Sequence, residues 1–319
     1  MKTISVDTIK VMFHVFMQDI CFDEWEHHIN KKKKEDVDYL ITDFYVRKYK
    51  TSNGTVINLK FAPKDYYRRG ENFLFVEFSL PKLLYGCNHR MLENWDAALD
   101  QANDELSKIS GLPPLGDIRE AILYRLDICV NFRLENDVLD YIQALLKGHY
   151  PHRTLKPYPK TGVIFGTNSG VSTSIYNKYE EKHCRHEEAR GLLRLEISMR
   201  KKRQIDKRTG KKNTMVRDLT LEFVINILQK DLHILKLDRP IVCDRREIEQ
   251  ILSNVYTPRQ VRSLLGYLLE KQTLTREEML AKGTTRKTIS YYERLLANAG
   301  VSSLSIDSKK TLPPLSITD

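Results

Sequence analysis

An α+β fold, built on a largely antiparallel sheet with helices over one face and followed by a helical C-terminal region, is predicted by three features of this sequence. Short runs in which apolar and polar residues alternate recur along residues 1–236, the period-two signature of strands with one buried face. These runs recur in the same order in two halves, about 1–115 and 116–236, as in an internal duplication. After Leu237-Asp-Arg-Pro240 the alternation gives way to capped helical segments, which sets a second domain at 237–319.

The first half opens with a strand near Asp7-Thr-Ile-Lys-Val-Met-Phe13, followed by a helix around 23–36. A hairpin covers 39–61 and turns at Ser52-Asn-Gly54, because Asn-Gly between alternating runs supplies the positive-φ residues of a tight turn. A strand at 73–80 and a helix at 91–108 complete this half. The second half gives a strand at 122–132, a helix at 136–147, a hairpin over 161–178, a strand at 192–199 and a helix at 216–230. The closest echo sets Val76-Glu-Phe-Ser-Leu-Pro-Lys82 against Leu195-Glu-Ile-Ser-Met-Arg-Lys201, with Glu77 and Glu196 in corresponding places. Asp7 and Asp127 fall on the two opening strands. Chance likeness between short alternating strands is the competing explanation. Halves packed side by side give one sheet with helices on one face.

In the C-terminal region, Thr257-Pro-Arg-Gln260 opens a helix that continues through Leu264, Leu265, Leu268 and Leu269. Thr275-Arg-Glu-Glu278 is a capping box for a short helix ending at Gly283. Thr284 or Thr285 caps another helix, running to Asn298 and Gly300 and carrying Arg286, Lys287, Tyr291, Tyr292 and Arg294. This is the outline of a helix-turn-helix, with Val301–Ile306 as a wing strand. An ordinary helical packing domain has the same pattern.

Composition narrows the partners. The 319 residues include 52 Lys+Arg against 42 Asp+Glu, a net charge of +10, which favours a polyanion such as nucleic acid. Five cysteines, widely spaced and without a CxxC pair, argue against a disulfide framework and a structural zinc site. No apolar run approaches the roughly 18 residues of a membrane span, and the N-terminus lacks a signal-peptide pattern, so a cytoplasmic chain is expected. Lys201, Lys202, Arg203, Lys207, Arg208, Lys211, Lys212 and Arg217 form a dense basic run, expected as an exposed loop that grips phosphates or as a solvated surface.

The chemistry is concentrated in three alternating segments. Ser174, Tyr176 and Lys178 share one strand face, as do Arg125 with Asp127, and Arg194 with Glu196. A phenol has a pKa of about 10 and needs nearby positive charge or a metal-polarised phosphate to attack at neutral pH. Glu77, Asp127 and Glu196 stand at strand centres, where a buried carboxylate is costly unless paired or metal-bound. Pairing with Arg125 or Arg194 is the alternative to a metal. His183-Cys-Arg-His186 has ligand residue types but lacks a second ligand pair for zinc.

Four ordered segments carry a resemblance to a known family. They are Phe75-Val-Glu-Phe-Ser-Leu-Pro-Lys-Leu-Leu-Tyr-Gly-Cys-Asn88, Tyr124-Arg-Leu-Asp-Ile-Cys-Val-Asn131, Ser174-Ile-Tyr-Asn-Lys-Tyr-Glu-Glu181 after the Gly166–Ser169 turn, and Leu193-Arg-Leu-Glu-Ile197. Together they resemble the phage and plasmid replication initiators of the gene II/X type, relatives of the filamentous-phage gene II endonuclease and of rolling-circle initiators from small Gram-positive plasmids. The resemblance spans residues 1 to about 235.

It implies a rolling-circle initiator that nicks and rejoins origin DNA by tyrosine transesterification. Tyr176 would be the nucleophile and Lys178 would help neutralise the phosphate. Asp127, Glu196 and Glu77 would hold Mg2+ or Mn2+, with Arg125, Arg194 and Glu181 in support. Lys82, Asn88, Lys201, Lys202 and Arg203 would meet DNA beside the site, and Arg286, Lys287 and Arg294 would meet it from the C-terminal domain. A host helicase and replication machinery in a bacterial cytoplasm are the implied partners; a homodimer is left open. Cys87 stands where the filamentous-phage enzyme has a histidine, with His89 two residues on, which favours carboxylate over histidine coordination. Tyr179 is the alternative nucleophile. A conjugative relaxase, a non-catalytic DNA-binding regulator and a nuclease that activates water are the competing functions.

Overall fold

The computed structural model describes the chain apart from residues 1–3, 35–36, 64–71, 135–136, 159, 168–169, 182–185, 305–309 and 318–319, and apart from the side chains of 30–42. The strands of the first half are β1 (Ile4–His14), β2 (Glu26–Lys34), β3 (Val37–Lys50), β4 (Val56–Ala62) and β5 (Phe73–Ser79), all but β2 from alternating sequence. β6 (Ile122–Arg133), β7 (Thr154–Tyr158), β8 (Gly162–Gly166), β9 (Val171–Asn177) and β10 (Leu192–Met199) follow in the second. All pair antiparallel in one ten-stranded sheet of order β2-β3-β4-β5-β1-β6-β10-β9-β8-β7. Read outward from the central β1/β6 pair, the strands run β1-β5-β4-β3-β2 on one side and β6-β10-β9-β8-β7 on the other.

One sheet face is apolar. Leu74, Val76 and Phe78 of β5, Leu126, Ile128 and Val130 of β6, and Leu193, Leu195 and Ile197 of β10 are all buried there. They form one core with Leu99 of α2 (Trp95–Ser107), Tyr141 and Leu145 of α3 (Val138–Leu146), and Leu228 and Leu232 of α5 (Leu221–Leu235). Each such side chain contributes about 1.5–3 kcal/mol on burial, which fixes strand register against one-residue slips. The strand residues between them face the other way and build the polar face.

Two short helices leave the central strands in the same manner. α1 (Leu80–Tyr85) follows β5, is capped by the Ser79 hydroxyl and ends at Gly86 with φ 73°. α4 (Lys202–Thr209) follows β10 and ends at Gly210 with φ 73°. The basic run 201–217 is therefore not the expected loop. Ile205 is fully buried against the sheet and the Lys202–Asp206 pair bridges one turn, so Lys202, Arg203, Lys207 and Arg208 lie on a packed helix, while Lys211 and Lys212 follow it in a bend and Arg217 lies in a 3-10 turn.

The helix expected around 23–36 is also corrected. Glu26–Lys34 is an edge strand whose residues pair with β3 from Glu26↔Val46 to Lys34↔Val37, with His27 stacked on Tyr45 at 4.5 Å. This polar run lacks alternation, so only its neighbour makes it a strand. The Lys31–Lys34 side chains lie outside the described residues, as do Asn168–Ser169 of the Gly166–Ser169 turn.

A second cluster joins α6 (Arg245–Ser253), α7 (Pro258–Thr273), α8 (Arg276–Ala281) and α9 (Arg286–Asn298) through Leu252, Leu264, Leu268, Met279, Ile289 and Leu296. The capping boxes at Thr257 and Thr275 and the Thr285 cap form as the sequence predicts. Val301–Leu304 is not strand, and Ser305–Ile306 lie outside the described residues. The tail then returns to the first core: Leu312 bridges Ile241, and Leu312, Leu315 and Ile317 are buried there.

Candidate functional site

The polar face is densest along β6, β10 and β9. Period two puts Arg125, Asp127 and Asn131 of β6, Arg194, Glu196 and Ser198 of β10, and Ser174 and Tyr176 of β9 on it. A register shift adds one more acid. Val6 pairs with Ile128 and Ile9 with Leu126, so Asp7 and Thr8 together stand opposite Asp127 alone. This β-bulge keeps Val6 and Ile9 buried while it seats Asp7 among the polar side chains.

The Tyr176 hydroxyl donates to Glu196 Oε2 at 2.9 Å. Burial, with the Glu196 carboxylate next, pushes the phenol well above its ordinary pKa. Glu196 is itself pushed up to about 7, first by burial and then by the negative charges of Asp7 and Asp127. Burial also raises Asp127, against the pull of Arg125. The carboxylate that accepts from the Tyr176 hydroxyl is thus itself held toward its neutral form by burial and by its acidic neighbours.

Buried cations hold this group in place. Arg194, 1% exposed, donates to Asp7 Oδ2 at 3.2 Å, to Asn131 Oδ1 at 2.8 Å and to the Asn88 carbonyl. Lys178, fully buried, donates to Asn88 Oδ1 at 3.0 Å and to Glu181, and its Nζ lies 5.7 Å from the Tyr176 ring centre. Asn88 Nδ2 donates to Asp7 at 3.3 Å and Ser79 to Asp7 at 2.7 Å. The Gly86–Asn88 segment is thereby clamped over the sheet. A cleft of about 450 Å³ opens here, lined by Asp7, Lys82, Asn88, Asp127, Tyr176 and Glu196 among others. At Gly162, paired with Tyr176, a Cβ would stand 2.6 Å from Tyr176 Cβ, so only glycine allows this approach.

The structure gathers Tyr176, Lys178, Asp127, Glu196, Arg194, Glu181 and Asn88 as the sequence predicts, but it seats Asp7, not Glu77, beside the other two acids. Glu77 is held by Arg125 Nη1 at 2.5 Å and Lys10 Nζ at 3.5 Å, and it lines a neighbouring cleft of about 460 Å³. Arg125 also grips Asp127 at 2.5 Å, the arginine pairing named as the alternative to a metal. Among the described residues no three His, Cys, Asp or Glu side chains form a group that could hold a metal ion. That Asp7 and Asp127 lie on the opening strands of the two halves is legible in the sequence; that these strands are neighbours and that a bulge converges the two acids is not.

Other expected residues lie elsewhere. Tyr179 packs by Ala189 and Leu192, and its hydroxyl meets Glu187 and Arg190. His89 is buried, with Nε2 3.0 Å from Glu188 and 3.9 Å from Cys87 Sγ, and its ring lies 4.7 Å from His186. His183–Arg185 of the zinc reading lie outside the described residues. Lys201 and Arg203 are exposed at the start of α4, where Lys202 is half-buried, and Arg286, Lys287 and Arg294 are exposed on α9. No helix is long and apolar enough to cross a membrane among the described residues. The chain matches no protein-family model and no curated protein.

Proposed function

We propose that this chain is a rolling-circle replication initiator that nicks and rejoins one strand of origin DNA through Tyr176. The observation that carries this reading is the 2.9 Å bond from the Tyr176 hydroxyl to Glu196, a carboxylate poised near pH 7 in an open cleft. A general base is most effective when its pKa lies near the working pH.

In the proposed reaction Tyr176 Oη forms a bond to phosphorus while its proton passes to Glu196 Oε2. The bond from phosphorus to the 3′-oxygen breaks, and that oxygen leaves as a hydroxyl after taking a proton from solvent. A 5′-phosphotyrosine remains, and the reverse steps rejoin the strand without a nucleotide cofactor. The Lys178 ammonium beside the tyrosine ring offsets the developing charge and, through Asn88, fixes the loop above it. Arg194 holds Asp7 in place through a buried ion pair. Mg2+ or Mn2+, when bound, would offset charge on the non-bridging phosphate oxygens. The carboxylates nearest the cleft are Asp7, Asp127 and Glu196; as placed, with Asp7 paired to Arg194 and Asp127 to Arg125, they do not form a ligand group, so no step of the reaction is routed through the ion.

Lys82 and Asn88 line the cleft where the phosphate would sit. Lys201, Lys202 and Arg203 of α4 would hold flanking phosphates, and α8, its turn and α9 would present Arg286, Lys287 and Arg294 to duplex DNA as a helix-turn-helix. The shared strand order outward from β1/β6 supports descent of the sheet from a duplicated half. A host helicase would unwind the nicked duplex in a bacterial cytoplasm.

Incubation with single-stranded DNA from the candidate origin of its own replicon, with manganese, is expected to give a protein–DNA adduct that Tyr176→Phe abolishes. Cleavage that survives Tyr176→Phe points to a water-activating nuclease. Binding and melting of the origin without an adduct point to a regulator.

A further inference from the structure

The first half of the sheet repeats the scaffold of the Tyr176 cleft without its chemistry. Glu77 pairs with Asn58 of β4 and Lys10 of β1, as Glu196 pairs with Ser174 of β9 and Cys129 of β6. Tyr176 is opposite Arg194, two residues before Glu196; Lys60 is opposite Phe75, two residues before Glu77. A lysine thus occupies the tyrosine's place, and the matching carboxylate is neutralised by Arg125 and Lys10.

The register also lines up Lys48, Asn58, Glu77, Lys10 and Arg125 across five adjacent strands. Residues directly opposite one another share a face, so this rung is a strip of three cations, one amide and one acid. Beside it Phe75 meets Tyr124 edge-on at 4.7 Å, and Lys10 Nζ stands 5.4 Å from the Phe75 ring centre. Two clefts follow the strip. The inner one shares Thr8, Ser79, Lys82 and Arg125 with the Tyr176 cleft, and the outer one, about 390 Å³, shares Asn58 and Glu77 with the inner. From β3 to β9 the trough crosses six strand spacings, about 29 Å at about 4.8 Å each.

We propose that the polar face of the first half is a track for single-stranded DNA, carrying the strand away from the scissile phosphate. Lys10, Lys48 and Lys60 meet its phosphates, and Asn58, exposed between the inner and outer clefts, meets a base edge. A basic groove that tracks the backbone is what a single strand requires, and beside it the half-buried Tyr124, backed by the buried Phe75, is the aromatic within reach of a base. The direction of the strand toward Tyr176 rests on the nicking reading; the track itself does not.

The test uses Tyr176→Phe protein, so that binding is read without cleavage, and oligothymidylates from about 4 to about 16 nucleotides long. Affinity is expected to climb at least tenfold along this series. Lys48→Gln with Lys60→Gln should remove most of that gain and reduce the slope of log affinity against log salt by about 1.4, at about 0.7 per phosphate contact. Asn58→Trp, which fills the junction of the clefts, should also flatten the series. A gain and slope unchanged in both variants would overturn the track. If the wild-type protein forms no adduct yet shows the lysine-dependent gain, the track stands and the nicking reading falls; an adduct without the gain gives the reverse.

Discussion

At the scale of single residues, the proposed nicking reaction turns on which group holds the proton of Tyr176. Glu196 accepts it only when ionised, and burial with two neighbouring carboxylates raises its pKa to about 7. The rate of adduct formation at a fixed metal concentration below saturation is therefore expected to rise about tenfold per pH unit below 7 and to level off above it, as a pH–rate profile would check. The same shift has a stability consequence. A carboxyl whose folded pKa lies above its ordinary value of 4.5 weakens the fold as pH rises from 4.5 through 7. Glu196→Gln should thus lose at least about a hundredfold in adduct rate. In melting experiments it should gain more stability relative to wild type at pH 8 than at pH 5. Tyr176, Lys178, Asp127 and Glu196 were legible because strand alternation puts them on one face. Glu77 has the same local pattern as Glu196 and differs only in what stands next to it.

At the scale of elements, the site depends on irregularities within regular strands. The bulge at Asp7–Thr8 delivers an acid without turning Val6 or Ile9 out of the core. Gly162 lets β8 lie against Tyr176, where a Cβ would stand 2.4 Å from the Ile175 carbonyl. Gly162→Ala is expected to cost about 1–3 kcal/mol in urea unfolding and to lower adduct yield by moving Tyr176 away from Glu196. A second polar tie joins α5 to the sheet. Asp231 accepts from Tyr150 at 2.9 Å and from Thr173, with Arg153 3.6 Å away. Asp231→Ala leaves the Arg153 charge buried and should cost about 3–5 kcal/mol. Hairpins and capped helices could be read from turn and cap residues. The strand Glu26–Lys34 could not, because its polar run lacks the period of either a strand or an amphipathic helix.

At the scale of the whole molecule, the two halves meet at β1/β6 and the segment after the helical region packs back on the first core. Leu312, Leu315 and Ile317 return to the first core, with Leu315 N donating to the Leu237 carbonyl at 2.7 Å and Tyr141 Oη donating to the Pro313 carbonyl at 2.5 Å. Removing residues 312–319 is therefore expected to cost roughly 3–6 kcal/mol, read as a lower urea midpoint of the sheet rather than of the helices α6–α9 alone. By itself the sequence determined the α+β class, most strand and helix positions, the helical C-terminal region and the tyrosine–carboxylate pattern, because these follow from periodicity, turn residues and caps within short windows. Only the tertiary structure decided that Asp7 joins Asp127 and Glu196, that Arg125 takes Glu77, and that the first part of the basic run after β10 packs as a helix. Those outcomes depend on which strands become neighbours and in what register, and contacts between residues far apart in the chain leave no local periodic signal.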